Sequence, residues 1–306
     1  MPTFCNGDRT WALHAGQQAV SLPAPSDPAA HSGPGLGLAQ NPLRVQLRRP
    51  VPPQPPSLLA VFAHPDDESL LAGGVLAQHR ASGARTGVVT TTWSPVSHRA
   101  DELRDALAVL GAGSPRMLGY RDARNESSAP DRSRLCDTPV GEVVEDLVVW
   151  IRRFRPDAVV THDALGQMTG HPDHRSTHQA TVLAVEAAAI GSFLPEHGRP
   201  WHTRALYFAT HTESGADPLA AVLANVGKST LTVPDAYASV TVDVSEWLPL
   251  KWQAIQAHRS QVAAARPLPG LLARMPSAQR EDILRTEVFT RMSLGPVPAS
   301  STVLTC

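Results

Sequence analysis

The sequence predicts an α/β fold, a mostly parallel sheet flanked by helices in a single domain. Short apolar or β-branched runs alternate with helical repeats of apolar residues, the pattern of successive βαβ units. The first run, Leu58–Ala63, is apolar without interruption, as expected of a strand buried on both faces. Crossovers between such strands are right-handed, which makes neighbouring strands parallel.

The folded part begins where proline stops. Eleven of the 28 prolines fall within the first 56 residues, ending in the run Pro50-Val51-Pro52-Pro53-Gln54-Pro55-Pro56. Proline fixes φ and removes a backbone donor, so such a run favours extended, solvated chain. Residues 1–56 are therefore expected to be a disordered tail, 57–292 the domain, and 293–306 a C-terminal tail. Ser32-Gly33-Pro34-Gly35-Leu36-Gly37 is glycine-rich, but no strand precedes it and no helix follows, so it is not read as a phosphate loop.

After Leu58–Ala63, helical spacing of Leu70, Leu71, Val75 and Leu76 predicts a helix that stops near Ser82-Gly83. The β-branched run Thr86–Thr92 predicts a second strand. Leu103, Ala106, Leu107 and Leu110 place a helix over 101–110, closed by Gly111. Pro115–Leu118 is a third, short strand, Val140–Phe154 a helix and Asp157–Thr161 a fourth strand. A helix over 172–190 and a strand at Ala205–Ala209 follow. Ser239–Val244 and Glu287–Arg291 read as peripheral strands with a helix, Leu248–Ala264, between them; residues 210–236 carry little signal. The order is that of a Rossmann-like sheet.

Composition narrows the function. Lys plus Arg total 27 and Asp plus Glu 28, a formal charge of -1. That balance argues against nucleic-acid capture, which needs a basic surface, and against a polybasic membrane anchor. No stretch approaches the roughly 20 apolar residues of a membrane span, and the N-terminus lacks a signal-peptide pattern. Cys5, Cys136 and Cys306 are odd in number and far apart, which suits a reducing compartment. A cytoplasmic protein is expected, its oligomeric state open.

Ligands of open parallel sheets bind at the carboxyl ends of strands. Directly after the first strand stand His64-Pro65-Asp66-Asp67-Glu68; after the fourth come a glycine-containing loop and His171-Pro172-Asp173-His174. Both clusters are built of His and carboxylate, the ligands a catalytic zinc takes when it keeps one position for water. Adjacent aspartates repel unless a cation joins them. One of Asp66 and Asp67 can bind metal while the other faces the attacking water, and spacing alone does not say which. Either could instead cap the following helix. Pro172 suits the first position of a helix, which puts His171 at its cap and His174 on the same side.

Ala63-His64-Pro65-Asp66-Asp67-Glu68 paired with Gly170-His171-Pro172-Asp173-His174 resembles the signatures of the LmbE-like, or N-acetylglucosaminylphosphatidylinositol de-N-acetylase (PIG-L), family of zinc-dependent deacetylases. Weaker echoes at His98-Arg99, Leu118-Gly119-Tyr120 with Asp122, His258-Arg259-Ser260-Gln261 and Glu287-Val288-Phe289 extend the likeness over about 57–292. The resemblance implies zinc, or ferrous iron, held by His64, Asp67 and His174. It implies Asp66 as general base on the metal-activated water and His171 as the cationic group facing the oxyanion or leaving amine. Asp173 would orient an imidazole, and Arg99 and Asp122 fall where related enzymes bind sugar hydroxyls; Trp93, beside the pocket, suits stacking on a sugar or aromatic face or plugging the sheet end. The reaction implied is removal of the N-acetyl group from an N-acetylglucosaminyl-type amino sugar within a small molecule, such as an intermediate of secondary metabolism. An amidase acting on a larger acyl group and an inactive metal-binding protein are the alternatives.

Two departures set the pocket apart from mycothiol-pathway members. Trp93-Ser94-Pro95 stands where they carry a Gly-Glu pair, and Thr169 where they carry a tyrosine. A nucleotide-binding α/β protein is disfavoured, because two aspartates in the first loop would repel a pyrophosphate.

Overall fold

Strand β1 (Leu58–Phe62) is buried at every position, and successive side chains feed opposite faces of the sheet. The computed structural model describes residues 55–294. The expected tails, including Ser32–Gly37 and the proline run, lie outside the described residues except at their inner edges.

The sheet adds β2 (Thr86–Thr92), β3 (Arg116–Tyr120), β4 (Ala158–His162), β5 (Ala205–Ala209), β6 (Val240–Asp243) and β7 (Thr286–Ser293). Its order is β3-β2-β1-β4-β5-β7-β6. The first five strands in this order are parallel, whereas β7 runs antiparallel to both β5 and β6. The chain leaves β1 toward β3, then returns to lay β4 against the other side of β1. The loops after β1 and β4 therefore meet at the point where strand order reverses, where open α/β sheets bind ligands.

Leu58, Ala60 and Phe62 pack on helices α1 (Asp67–Ala81) and α2 (His98–Leu110) through Leu76, Leu103 and Leu107. Leu59 and Val61 face α3 (Val140–Phe154) and α4 (Pro172–Ala187) through Leu147, Ile151 and Ala184. Each fully buried Leu, Ile or Phe contributes about 1.5–3 kcal/mol. Beyond β5 lie α5 (Glu213–Ala224), α6 (Leu248–Ala257), α7 (Arg259–Ala263), α8 (Leu268–Arg274) and α9 (Ser277–Leu284). None of the helices in the described residues is long and apolar enough to cross a membrane.

Three features differ from the sequence reading. Helix α2 begins at His98 rather than Asp101, because the Ser97 hydroxyl accepts the Ala100 N–H at its cap. The single helix expected over 248–264 breaks at His258, which adopts a non-helical φ/ψ of -78°/62°. Helices α5, α8 and α9 have no counterpart in the sequence reading.

One buried ion pair ties the antiparallel extension to the parallel sheet. Lys251 of α6 meets Glu287 of β7 at 2.7 Å, with both side chains almost wholly excluded from solvent. The same carboxylate accepts the Gly74 and Val75 N–H groups of α1 at 2.8 and 3.0 Å, and the ammonium also donates to the Leu284 carbonyl. Those hydrogen bonds satisfy charges that burial would otherwise penalise. At this junction α1 approaches Val244 so closely that a Cβ on Gly74 would overlap the valine side chain. Gly74→Ala is expected to destabilise the protein by about 1–3 kcal/mol. Gly141→Ala, where nothing lies within 4 Å, should be neutral or mildly stabilising. Urea denaturation midpoints distinguish the two.

Candidate active site

The turn after β1 has a backbone that only its surroundings explain. Asp66 sits at φ 135°, a region L-residues rarely adopt, and its side chain makes no helix-capping hydrogen bond. Such strain, about 1–3 kcal/mol, persists when neighbouring contacts over-determine it. Here Glu68 accepts the Asp66 N–H at 3.0 Å and is itself held by His258 at 2.8 Å and by Ser69 at 2.6 Å. Arg99 clamps the other side, contacting the Asp66 carboxylate at 3.1 Å and donating to the Pro65 carbonyl. Asp66 thus points into the pocket instead of capping α1. Asp67 does not cap α1 either; its Oδ2 accepts the His64 N–H at 2.8 Å.

Around that Oδ2 three imidazoles converge. His64 Nδ1 lies 3.3 Å away, His174 Nε2 3.5 Å and His162 Nε2 3.4 Å, while His64 Nδ1 and His174 Nε2 are 3.1 Å apart. Bonds of about 2.0–2.2 Å in a tetrahedral set place neighbouring donors roughly 3.3–3.6 Å apart. The His64, Asp67 and His174 atoms approach that spacing, so the donor set fits a divalent ion in both chemistry and separation. Overlapping sets that include His171 or His162 are also close enough to share an ion. His162 differs in that its Nε2 accepts the Ala63 N–H at 3.0 Å, which occupies that lone pair, and its ring stacks on His174 at 3.9 Å. It is a wall of the site that sequence reasoning left unassigned. Its place at the carboxyl end of β4 was the available signal.

Asp173, fully buried, lies 3.2 Å from His64 Nε2 and accepts the Ala123 N–H at 2.9 Å. It therefore orients His64 with Nδ1 turned toward Asp67. His171 caps α4, its Nδ1 accepting the Asp173 N–H at 3.3 Å, which leaves the proton of the neutral ring on Nε2.

The electrostatics follow from burial and these partners. Burial raises Asp66 to about 6 although Arg99 opposes it. Burial also acts to raise Asp67, but His174 and His162 outweigh it and hold the carboxyl well below its usual range. Burial lowers His64, yet hydrogen bonds to Asp173 and Asp67 prevail and raise it to about 10. Burial, His64 and Arg124 push His171 down to about 3. The resemblance implies a cationic His171; burial, His64 and Arg124 act against that charge.

The three residues expected to touch sugar are brought to the same pocket but are already engaged. Trp93 (φ 70°) is buried, with one ring face against the Arg99 guanidinium at 4.7 Å and its Nε1 donating to Asp122 Oδ2 at 3.2 Å. Asp122 Oδ1 accepts the Arg124 N–H at 2.7 Å. They form a braced wall around Asp66 and His64. The cavity they border measures about 950 Å³ and extends past Thr169, His211, Lys228 and Leu268. Such a volume accommodates a sugar with an appended group.

Known proteins resemble this chain at several levels. The family model described as GlcNAc-PI de-N-acetylase matches residues 59–185. The 1D-myo-inositol 2-acetamido-2-deoxy-alpha-D-glucopyranoside deacetylase of Rhodococcus jostii (strain RHA1) is 35% identical over 245 residues, covering 68% of this chain and 82% of that protein. The enzyme of the same description from Thermobifida fusca (strain YX) is 31% identical, covering 79% and 94%. Among solved structures, the conserved protein TT1542 from Thermus thermophilus aligns with a TM-score of 0.56 at 25% identity, covering 80% of this chain and 99% of that one. The N,N'-diacetylchitobiose deacetylase from Pyrococcus horikoshii shares the fold at a TM-score of 0.55 and 20% identity, covering 81% and 88%.

Removing His258 leaves the Glu68 carboxylate buried and unpaired, so His258→Leu is expected to cost about 3–5 kcal/mol. The pair's contribution has a defined pH window. Glu68 is held below its ordinary 4.5 because His258 outweighs burial, so its share is present above 4.5 and lost as pH falls through the lowered value. His258 is raised above 6.5 because Glu68 outweighs burial, so its share is present below 6.5 and lost as pH rises through the raised value. The stability difference between wild type and variant, measured by urea denaturation, should be largest between those ordinary values and shrink on either side.

Proposed function

The chain belongs to the GlcNAc-PI de-N-acetylase (PIG-L) family, and from that premise we propose that it is a zinc-dependent N-deacetylase acting on an N-acetylglucosaminyl-type amino sugar within a small molecule. One observation carries the reading: three buried donors, His64 Nδ1, Asp67 Oδ2 and His174 Nε2, lie 3.1–3.5 Å from one another, and Asp66 lines the same pocket. These three residues would hold the ion. Ferrous iron is accommodated by the same imidazole and carboxylate donors. When bound, the metal supplies a water of lowered pKa and polarises the acetamide carbonyl.

The protein's own groups do the rest. Asp66, ionised above about 6 in the metal-free protein, accepts the proton of the attacking water and delivers it to the departing nitrogen, so that water and amide become acetic acid and free amine. Arg99 keeps that carboxylate in place and favours its charged form. His171, its Nδ1 engaged by the Asp173 N–H, presents Nε2–H as a hydrogen-bond donor to the developing oxyanion. Asp173 prevents His64 from turning away. Trp93, Arg99 and Asp122 shape the wall against which the sugar lies. The single cysteine in the described residues, Cys136, is unpaired, which suits the reducing cytoplasm.

Asp66→Asn keeps the shape of the side chain and removes its basicity. It is expected to lower turnover by about 10²–10⁴-fold while metal analysis still finds one ion per chain. Undiminished amine release in that variant would eliminate Asp66 as the base. Metal uptake should also respond to pH in a known direction. His64 is protonated at neutral pH in the metal-free protein, because Asp173 and Asp67 raise it to about 10, and that proton must leave Nδ1 for a metal to bind. Zinc affinity is therefore expected to rise about tenfold per pH unit from about pH 6 to 8, with about one proton released per ion. Calorimetric titrations in buffers of different ionisation enthalpy measure both quantities.

A further inference from the structure

A buried polar atom without a partner is costly, and inside a pocket a ligand can supply the partner. Four buried side-chain atoms of the cavity-lining residues make no hydrogen bond among the described residues: Arg99 Nε, His174 Nδ1, Gln167 Oε1 and His211 Nδ1. Arg99 and His174 belong to the catalytic centre. Gln167 and His211 do not; they stand in the loop after β4 and the segment after β5, two strands that pair side by side. In the sheet order they lie on the β5 side, whereas Trp93 and Asp122 follow β2 and β3 on the other side of β1.

Gln167 is held in one arrangement from three directions. It is 5% exposed, with a φ of 62° in the left-handed region that residues other than glycine rarely adopt. Asp163 braces the two strand ends, its Oδ1 accepting the Gln167 N–H at 2.8 Å and its Oδ2 accepting the Thr210 hydroxyl at 2.9 Å. The Gln167 Nε2 donates to the Ala209 carbonyl. A carbonyl can only accept, so the amide nitrogen must face it, and Oε1 is the end without a partner. That oxygen calls for a hydrogen-bond donor and repels an anion. Burial pushes His211 down to about 4 against the pull of Asp163, and Lys251 adds to the lowering. An uncharged imidazole has one donor nitrogen and one acceptor. A hydroxyl suits both residues, since it donates to Oε1 and takes either role toward an imidazole.

We infer that Gln167 is a specificity-determining residue whose Oε1, with His211 at the neighbouring strand end, receives a hydroxyl of the substrate on the β5 side of the pocket. The inference rests on the deacetylase reading above and adds the residue that ranks one sugar derivative against another.

Product-like amines test the subsite without turnover. The ligands are methyl glucosaminide with its 3-, 4- and 6-deoxy counterparts, and the cyclohexyl and trans-2-hydroxycyclohexyl glucosaminides, each titrated calorimetrically into the zinc-loaded protein. Loss of the recognised hydroxyl is expected to weaken binding about tenfold or more. A gap with one deoxy sugar places that hydroxyl on the ring, and a gap between the two cyclohexyl glycosides places it on the aglycone. In Gln167→Met the gap should shrink to below about threefold. Gln167→Gly, which the positive φ favours, should do the same and keeps the test decisive if the methionine variant fails to fold. Equal binding throughout in the wild type overturns the inference, as does any gap pattern that the variants leave unchanged. A merely structural role for Gln167 would weaken every ligand alike and leave the gaps as they were. Amine release from the N-acetylated counterparts is read separately. Its absence beside a Gln167-dependent gap removes the deacetylase reading and supports the subsite; release without such a gap does the reverse.

Discussion

The catalytic end depends on one oxygen atom. Asp67 Oδ2 accepts the His64 N–H, which closes the turn after β1, and it stands 3.3–3.5 Å from imidazole nitrogens of His64, His162 and His174. Those rings come from the ends of two strands and the first turn of α4. The β1–β4 pairing, created where the strand order reverses, brings them to one point. A carboxylate so placed is useful only while its position is rigid. Rigidity comes from the layer behind it: Asp173 on His64, His162 stacked on His174, and the Glu68–His258 pair under Asp66. Under the proposed function, an ion at these donors and Asp66 as base would complete the deacetylase site.

How much of this was legible in the sequence follows from where each signal lies. Strands β1, β2, β4 and β5 are buried on both faces, so their apolar runs stand out, and α1 to α4 repeat apolar residues at helical spacing. Helix α5 contains Pro218 and Gly215, and α8 and α9 are short; none carries a long enough periodic pattern to rise above the surrounding loops. The break at His258 is invisible because apolar spacing continues through it, while the side chain is committed to Glu68, 190 residues away. The Lys251–Glu287 pair joins residues 36 positions apart on different elements and leaves no local signal either.

The paired His and Asp clusters were readable because each is local and both follow predicted strands. Their spacing could not rank Asp66 against Asp67; the assignment came from the family resemblance. Asp67 faces the imidazoles, whereas Asp66 is turned away from them by a positive φ and bound to Arg99. The lowering of His171 was not readable, since it arises from burial and from His64 and Arg124. Trp93 is held between Arg99 and Asp122 by contacts that join three separate segments, which its local sequence does not reveal.

The most direct test of this account is primary-amine release from a panel of N-acetylglucosaminides by metal-stripped protein before and after zinc is restored. The account predicts no release from the stripped protein, and release that returns in proportion to zinc up to one ion per chain. Release that is indifferent to stripping, or a protein that takes up no metal, would contradict it.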